Sequence, residues 1–158
     1  MFHKVGFIIC LPLFFLLLNC NGPKATIETP NQSETIPFTT IVRGSHSNFK
    51  EGTERTITSQ KELQEVFNRI NSTKKPGFPV PTIDFDEKVV FFYATQELSY
   101  GGTPITIARV EKNKDQILVI PVVMEVDPMQ PVTTVISSPF VMIALQKQAL
   151  PIMYAMAL

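Results

Sequence analysis

The chain has 158 residues, with 14 basic and 14 acidic side chains, no tryptophan and two cysteines. A formal charge of zero provides no electrostatic footprint for nucleic acid. Both cysteines, Cys10 and Cys20, fall within the first 20 residues, so the remaining chain must hold one domain together by packing, without a disulfide, a thiolate metal site or a cysteine nucleophile.

Lys4 precedes an apolar segment, Val5 to Leu18, of about 14 residues broken by Pro12. That is short of the roughly 20 residues a membrane-spanning helix needs, and it suits the apolar region of a signal peptide. The segment closes on Leu16-Leu17-Leu18-Asn19-Cys20. This run resembles the lipobox of bacterial lipoproteins, in which the cysteine becomes the lipidated first residue after cleavage. Leu17 stands where that motif wants Leu, and Asn19 stands where it usually has Gly or Ala. The resemblance implies cleavage after residue 19 and a lipid on Cys20. A buried CH₂ contributes about 0.8 kcal/mol, so two or three acyl chains make release from the bilayer slow. The expected state is a mature chain of 139 residues, anchored to the membrane through a lipidated N-terminus. Asn21 follows the cysteine where an Asp would act as an inner-membrane retention signal in some bacteria, which points to the outer membrane of a bacterial cell envelope. Residues 20–35, with Pro23, Pro30, Asn31, Gln32 and Ser33, read as a flexible tether, of which the fourteen coil residues from Asn21 to Glu34 span roughly 20 Å.

The expected domain covers 36–150. Ile36 to Val42 is a first strand, rich in Thr and β-branched residues, ending at Gly44, and Ser45 to Asn48 form a polar turn. Ser59 with Glu62 is a capping box, in which each side chain is expected to satisfy the other residue's free N–H. Leu63, Val66, Phe67 and Ile70 follow at i, i+3, i+4 and i+7, the apolar face of a helix of about three turns ending near Asn71. That face reads as core, since so short a helix needs packing to be stable. Residues 72–87 hold Lys74, Lys75, Pro76, Gly77, Pro79 and Pro81, a connection long enough to be either functional or packed down.

Lys88 to Ala94 is a nearly continuous apolar run, expected as a central strand buried on both faces. Gly101-Gly102 is a turn signal, Thr103 to Val110 alternates, and Lys112 to Asp115 is a polar turn. Ile117 to Val126 reads as a strand in which Pro121 implies an edge or a bulge. Val132 to Ile136 and Phe140 to Leu145 complete the set. The tail 151–158 is apolar and uncharged; it suits a last edge strand, a docked helical turn or an end that binds a partner. The sum is a mainly β (α+β) domain, an antiparallel sheet curled into a barrel or sandwich of about six strands with one short amphipathic helix.

Few positions look chemical. His46 is the one histidine beyond the signal segment, which excludes a histidine-rich zinc site within one chain; a Ser-His-Asp triad through it is formally possible. Asp84, Asp86 and Glu87 fall short of a calcium loop, which wants more oxygen ligands and an internal Gly, and read as a polar turn that anchors Phe85 in the core. No catalytic residue, metal ligand or cofactor site is assigned. Tyr100, Gly101 and Gly102, together with the Pro-rich loop of Lys75 and Pro79, are the expected partner-contact surface, with the aromatic ring as the best anchor.

The order of parts from Val42 to Lys147 resembles the PrcB C-terminal domain family, named after the lipoprotein subunit of a bacterial cell-surface protease complex. The pieces are the Gly44-Ser45-His46-Ser47 turn, the stretch Thr56 to Leu63, the Pro81-Thr82-Ile83-Asp84-Phe85 approach to the Val89-Val90 strand, the run Gly101-Gly102-Thr103-Pro104-Ile105-Thr106-Ile107, and Ser138-Pro139-Phe140. Thr103 and Pro104 stand where the family has Tyr and Ser. The resemblance implies a non-enzymatic extracytoplasmic lipoprotein, an accessory or stabilising subunit with an envelope protein such as a protease for partner. The alternative is a protease inhibitor that presents its Pro-stiffened loop to an active site.

Overall fold

The structure, a computed structural model, describes residues 33–99, 101, 104–122 and 134–155. These residues form two stacked four-stranded sheets with one helix on the outside of one of them. The strands are β1 (Glu34–Ile36), β2 (Phe38–Gly44), β3 (Thr53–Ile57), β4 (Lys88–Ala94), β5 (Ile107–Lys112), β6 (Ile117–Pro121), β7 (Phe140–Gln146) and β8 (Ile152–Tyr154), and the helix is α1 (Gln60–Ile70). The inner sheet runs β2-β7-β4-β3 and the outer sheet β1-β5-β6-β8. The fold is a β-sandwich, mainly β as expected; neither sheet closes into a barrel.

Alternation explains why the two central strands are so apolar. In β4, Val90, Phe92 and Ala94 enter the core beneath α1, whereas Val89 and Phe91 enter the core between the sheets. In β7, Phe140, Met142 and Ala144 take the helix side, and Val141, Ile143 and Leu145 the sheet side. A strand covered on both faces must be apolar at every position. The outer sheet is covered on one face only, and its strands alternate: Val110, Ile117 and Val119 are buried while Arg109 is exposed.

The helix forms where the sequence predicts it, with Leu63, Val66, Phe67 and Ile70 all buried. Its cap differs in one bond. Ser59 Oγ accepts from the Glu62 N–H at 3.3 Å, but the Glu62 carboxylate accepts from the Thr58 N–H at 2.9 Å, one residue earlier than a reciprocal box requires. The bond to the Thr58 N–H is the main reason its carboxyl lies below the usual range. At the other end, Asn48, with φ 64°, donates its amide to the Arg69 and Ile70 carbonyls at 3.2 and 2.9 Å. A residue distant in sequence thus supplies the C-terminal carbonyls with the donor they lack.

Several boundaries move. The expected strand 36–42 is divided at Pro37, and β1 and β2 belong to different sheets. β1 begins at Glu34, within the stretch read as tether. β2 carries a bulge between Thr40 and Val42. The strand expected over 103–110 starts only at Ile107, and a second bulge between Ile107 and Arg109 sits opposite Pro121, where the missing N–H forbids regular pairing. β6 ends at Pro121, and the expected continuation to Val126 lies outside the described residues. Of the strand expected over Val132 to Ile136, the described part, 134–136, is irregular. β3 was not expected, because Thr53-Glu54-Arg55-Thr56-Ile57 buries only Ile57. Within the tail, Ile152–Tyr154 dock as β8, parallel to β6, an exception to the antiparallel pairing expected from the short turns.

Tyr154 of β8 stacks on Tyr93 of β4 at 3.6 Å between ring centroids and 4° between planes, and its N–H donates to Glu54 at 3.0 Å. Burial pushes the Tyr154 phenol up to about 12, with the neighbouring Tyr93 adding to the effect. Burial, and then the charge of Glu54, raises Tyr93 as well. The folded state therefore favours the neutral phenols. Their contribution is complete below the unfolded value of about 10 and is lost as pH rises toward 12. An ultraviolet phenolate titration is expected to show two of the three tyrosines ionising late, with thermal stability falling across that alkaline interval. Titration of all three together near pH 10 in a folded chain would contradict the stacked arrangement.

Candidate functional site

The sandwich has two poles, about 20 Å apart along seven-residue strands. At the first, the ends of β2, β4 and β7 meet in a buried serine cluster. Ser47 and Ser138 are fully buried and Ser137 nearly so. The Ser47 N–H donates to the Ser138 carbonyl at 3.0 Å, and the Ser138 N–H to the Ser45 carbonyl at 2.9 Å. The Ser47 hydroxyl lies 3.1 Å from Ser138 Oγ, which also accepts the Ser47 N–H at 2.9 Å. Gly44 lies beside Phe140 here, and a Cβ on it would meet the ring at 2.7 Å, so this crossing requires glycine. The turn Gly44 to Ser47 and the run Ser138-Pro139-Phe140, 91 residues apart, are thus one piece of structure.

His46 belongs to this cluster, with Nδ1 3.4 Å from Ser138 Oγ. The pair does not make a nucleophile. Ser138 Oγ is enclosed and already engaged with Ser47, and among the described residues no carboxylate is hydrogen-bonded to the imidazole to orient it, as a triad requires. The hydroxyls satisfy buried N–H groups and lock the strand ends. No group of three or more His, Cys, Asp or Glu side chains suited to a metal occurs among the described residues.

The expected lipidation site Cys20 and the expected contact residues Tyr100 and Gly102 lie outside the described residues, and Gly101 is exposed. The chain leading to Gly101 is held at this pole by Leu98, whose N–H donates to the Ser137 carbonyl at 2.7 Å and whose carbonyl accepts in return at 3.0 Å. Lys75 and Pro79 are exposed in a connection that is packed down around them. Asn71 exchanges two 2.8 Å hydrogen bonds with the backbone of Phe78, and Gln60 holds Pro81 and Ile83. Asn48, next to Ser47, reaches Thr73 Oγ1 at 3.0 Å. The approach to Gly101 and the start of the Pro-rich loop are therefore both tied to the serine cluster or its immediate neighbours. Asp84 and Asp86 form a turn in which the Asp84 carboxylate accepts the Asp86 N–H at 3.0 Å, and Phe85 packs on the core.

Three exposed apolar side chains were missed. Val135 and Ile136 are 63% and 57% exposed and run directly into Ser137. Val122, 43% exposed, joins this pole through its N–H to the Thr106 carbonyl at 2.7 Å, and Thr106 Oγ1 receives Arg43 of β2 at 2.6 Å. Their β-branched character reads as strand in the sequence, and only the fold shows that they are uncovered.

The N-terminal segment enters at the opposite pole. Glu34 pairs with Lys112, whose ammonium donates to Gln148 Oε1 at 3.0 Å just beyond β7. Among the described residues no helix is long and apolar enough to cross a membrane. A scan against family models, a search of curated proteins and a search of solved structures each find no match to this chain.

Proposed function

We propose that the chain is a lipid-anchored envelope protein whose sandwich holds a partner protein at the pole remote from its anchor. The observation that carries this reading is the exposure of Val122, Val135 and Ile136 at the end opposite to the entry of the N-terminal segment. Lipid on Cys20 would hold the entry pole toward the bilayer and turn these side chains toward other proteins. Single exposed hydrophobics are ordinary, whereas a group of them beside a buried, hydrogen-bonded serine cluster marks an interaction surface. The neighbouring loops of Gly101 and Lys75 would form its rim. The likeness to the PrcB C-terminal domain family points to the same kind of role, an accessory subunit that stabilises an envelope complex and does not itself catalyse.

Chemical crosslinking in intact membranes, followed by gentle solubilisation, tests this reading. The wild-type chain is expected to migrate in a discrete complex that the Val135→Asp/Ile136→Asp double variant fails to form at equal abundance. A lone wild-type monomer under every condition tried would refute it.

A further inference from the structure

At the entry pole, a groove of about 440 Å³ opens on the helix side of the inner sheet, next to the N-terminal end of α1, where Gln60 holds Pro81 and Ile83 of its wall. Its walls include Ile41, Pro81, Ile83 and Ala144, with Lys88 and Gln146 at one end. These two residues are direct partners across β4 and β7, so their side chains leave the same face of the sheet from adjacent positions. Among the described residues no carboxylate lines the groove. Asp84, Asp86 and Glu87 lie in the exposed turn leading to Lys88 and stand outside the lining. The volume is within the range of small-molecule sites, roughly 300–1,000 Å³, and apolar walls with a few polar groups at one end are their usual design.

We propose that this groove binds a long-chain fatty acid, with the alkyl chain along Ile41, Ile83 and Ala144 and the carboxylate at Lys88 and Gln146. An anionic head at one end of an apolar slot matches a lining whose described polar side chains are Thr39, Lys88 and Gln146, with no acid among them. Charge-assisted hydrogen bonds to the carboxylate would fix its orientation. Position favours the same occupant. Pro37 and Phe38 also line the groove and follow within five residues of the point where the N-terminal segment enters. On the anchored reading this places the groove at the lipid surface. The local supply of ligand rests on that reading; the chemistry of the groove does not.

The test uses the full-length chain in phospholipid nanodiscs with a photoactivatable palmitate analogue and peptide mapping. Label is expected on the peptides holding Phe38–Ile41 and Pro81–Ile83. Unlabelled palmitate should compete, and methyl palmitate, which lacks the charge, should compete about tenfold less well. Thr39→Trp, a bulky replacement at an exposed lining position, should abolish the site label. Lys88→Gln, an exposed change that leaves the fold intact, should remove the preference for palmitate over its ester. Label spread over the domain and indifferent to both variants would overturn the proposal, as would competition by an extended apolar peptide but not by palmitate. The same spectra report on Cys20. Groove label with an unmodified Cys20 would sink the anchor and leave the groove standing, whereas a lipidated Cys20 without groove label would do the reverse.

Discussion

Phe92→Ala is expected to lower folding stability by about 3–5 kcal/mol, the usual cost of removing a buried phenylalanine ring. Phe92 is fully buried at the centre of the core beneath α1. Its ring centroid lies 5.2 Å from that of Phe49 and 6.2 Å from that of Phe140. Those neighbours cannot close the void cheaply. Phe49 is fixed on its outer side by Arg69 at 4.8 Å, whose guanidinium also donates to the Asn48 carbonyl, and Phe140 sits against Gly44. Domains of this size have roughly 5–15 kcal/mol in total, so the variant would stand close to unfolding. Chemical denaturation followed by circular dichroism measures the loss, with Val135→Ala, at an exposed position, expected within about 0.5 kcal/mol of wild type. A loss below about 1 kcal/mol for Phe92→Ala would mean that this face of the sheet is not the core described.

The second large effect concerns Cys20. Metabolic labelling with an alkynyl fatty acid is expected to mark the wild-type chain, and Cys20→Ser should carry no label above background. The mature N-terminal peptide should begin at residue 20 and carry the added mass. Two or more acyl chains give an attachment that does not reverse on the timescale of fractionation, whereas one chain of myristoyl length binds only marginally. High salt or alkaline carbonate should leave the wild-type chain in the membrane fraction. An unmodified Cys20, or cleavage elsewhere, would remove the anchored reading together with the orientation it imposes on the two poles.

The elements legible in the sequence are those whose period is set by a local environment. Ser59, Glu62 and the four apolar residues from Leu63 to Ile70 announce α1, because a cap and a 3.6-residue stripe are short-range signals. Lys88 to Ala94 announces a doubly covered strand by having no polar alternation. β3 escaped notice for the opposite reason: its residues are polar, and it is a strand because β4 offers it a hydrogen-bonding edge. Pro37, read as part of one strand, instead marks where the chain crosses between sheets. Of the alternatives for the tail, the edge strand is the one that Ile152 to Tyr154 adopt, because β6 supplies them with a parallel partner.

The proposed surfaces follow the same division. The signal-like pattern ending at Cys20 is readable without the fold, because a processing signal of that kind acts on an extended chain. The serine cluster, the exposed Val135 and Ile136 and the groove beside Lys88 could not be read in that way. The serine cluster and the groove each join segments about a hundred positions apart, which the pairing of β2, β4 and β7 brings together, and the exposure of Val135 and Ile136 depends on what the other segments cover. By itself the sequence determined a mainly β domain, its helix and the residues with the strongest drive to be buried. Only the tertiary structure decided which apolar side chains remain uncovered and at which pole, because exposure depends on what every other segment covers.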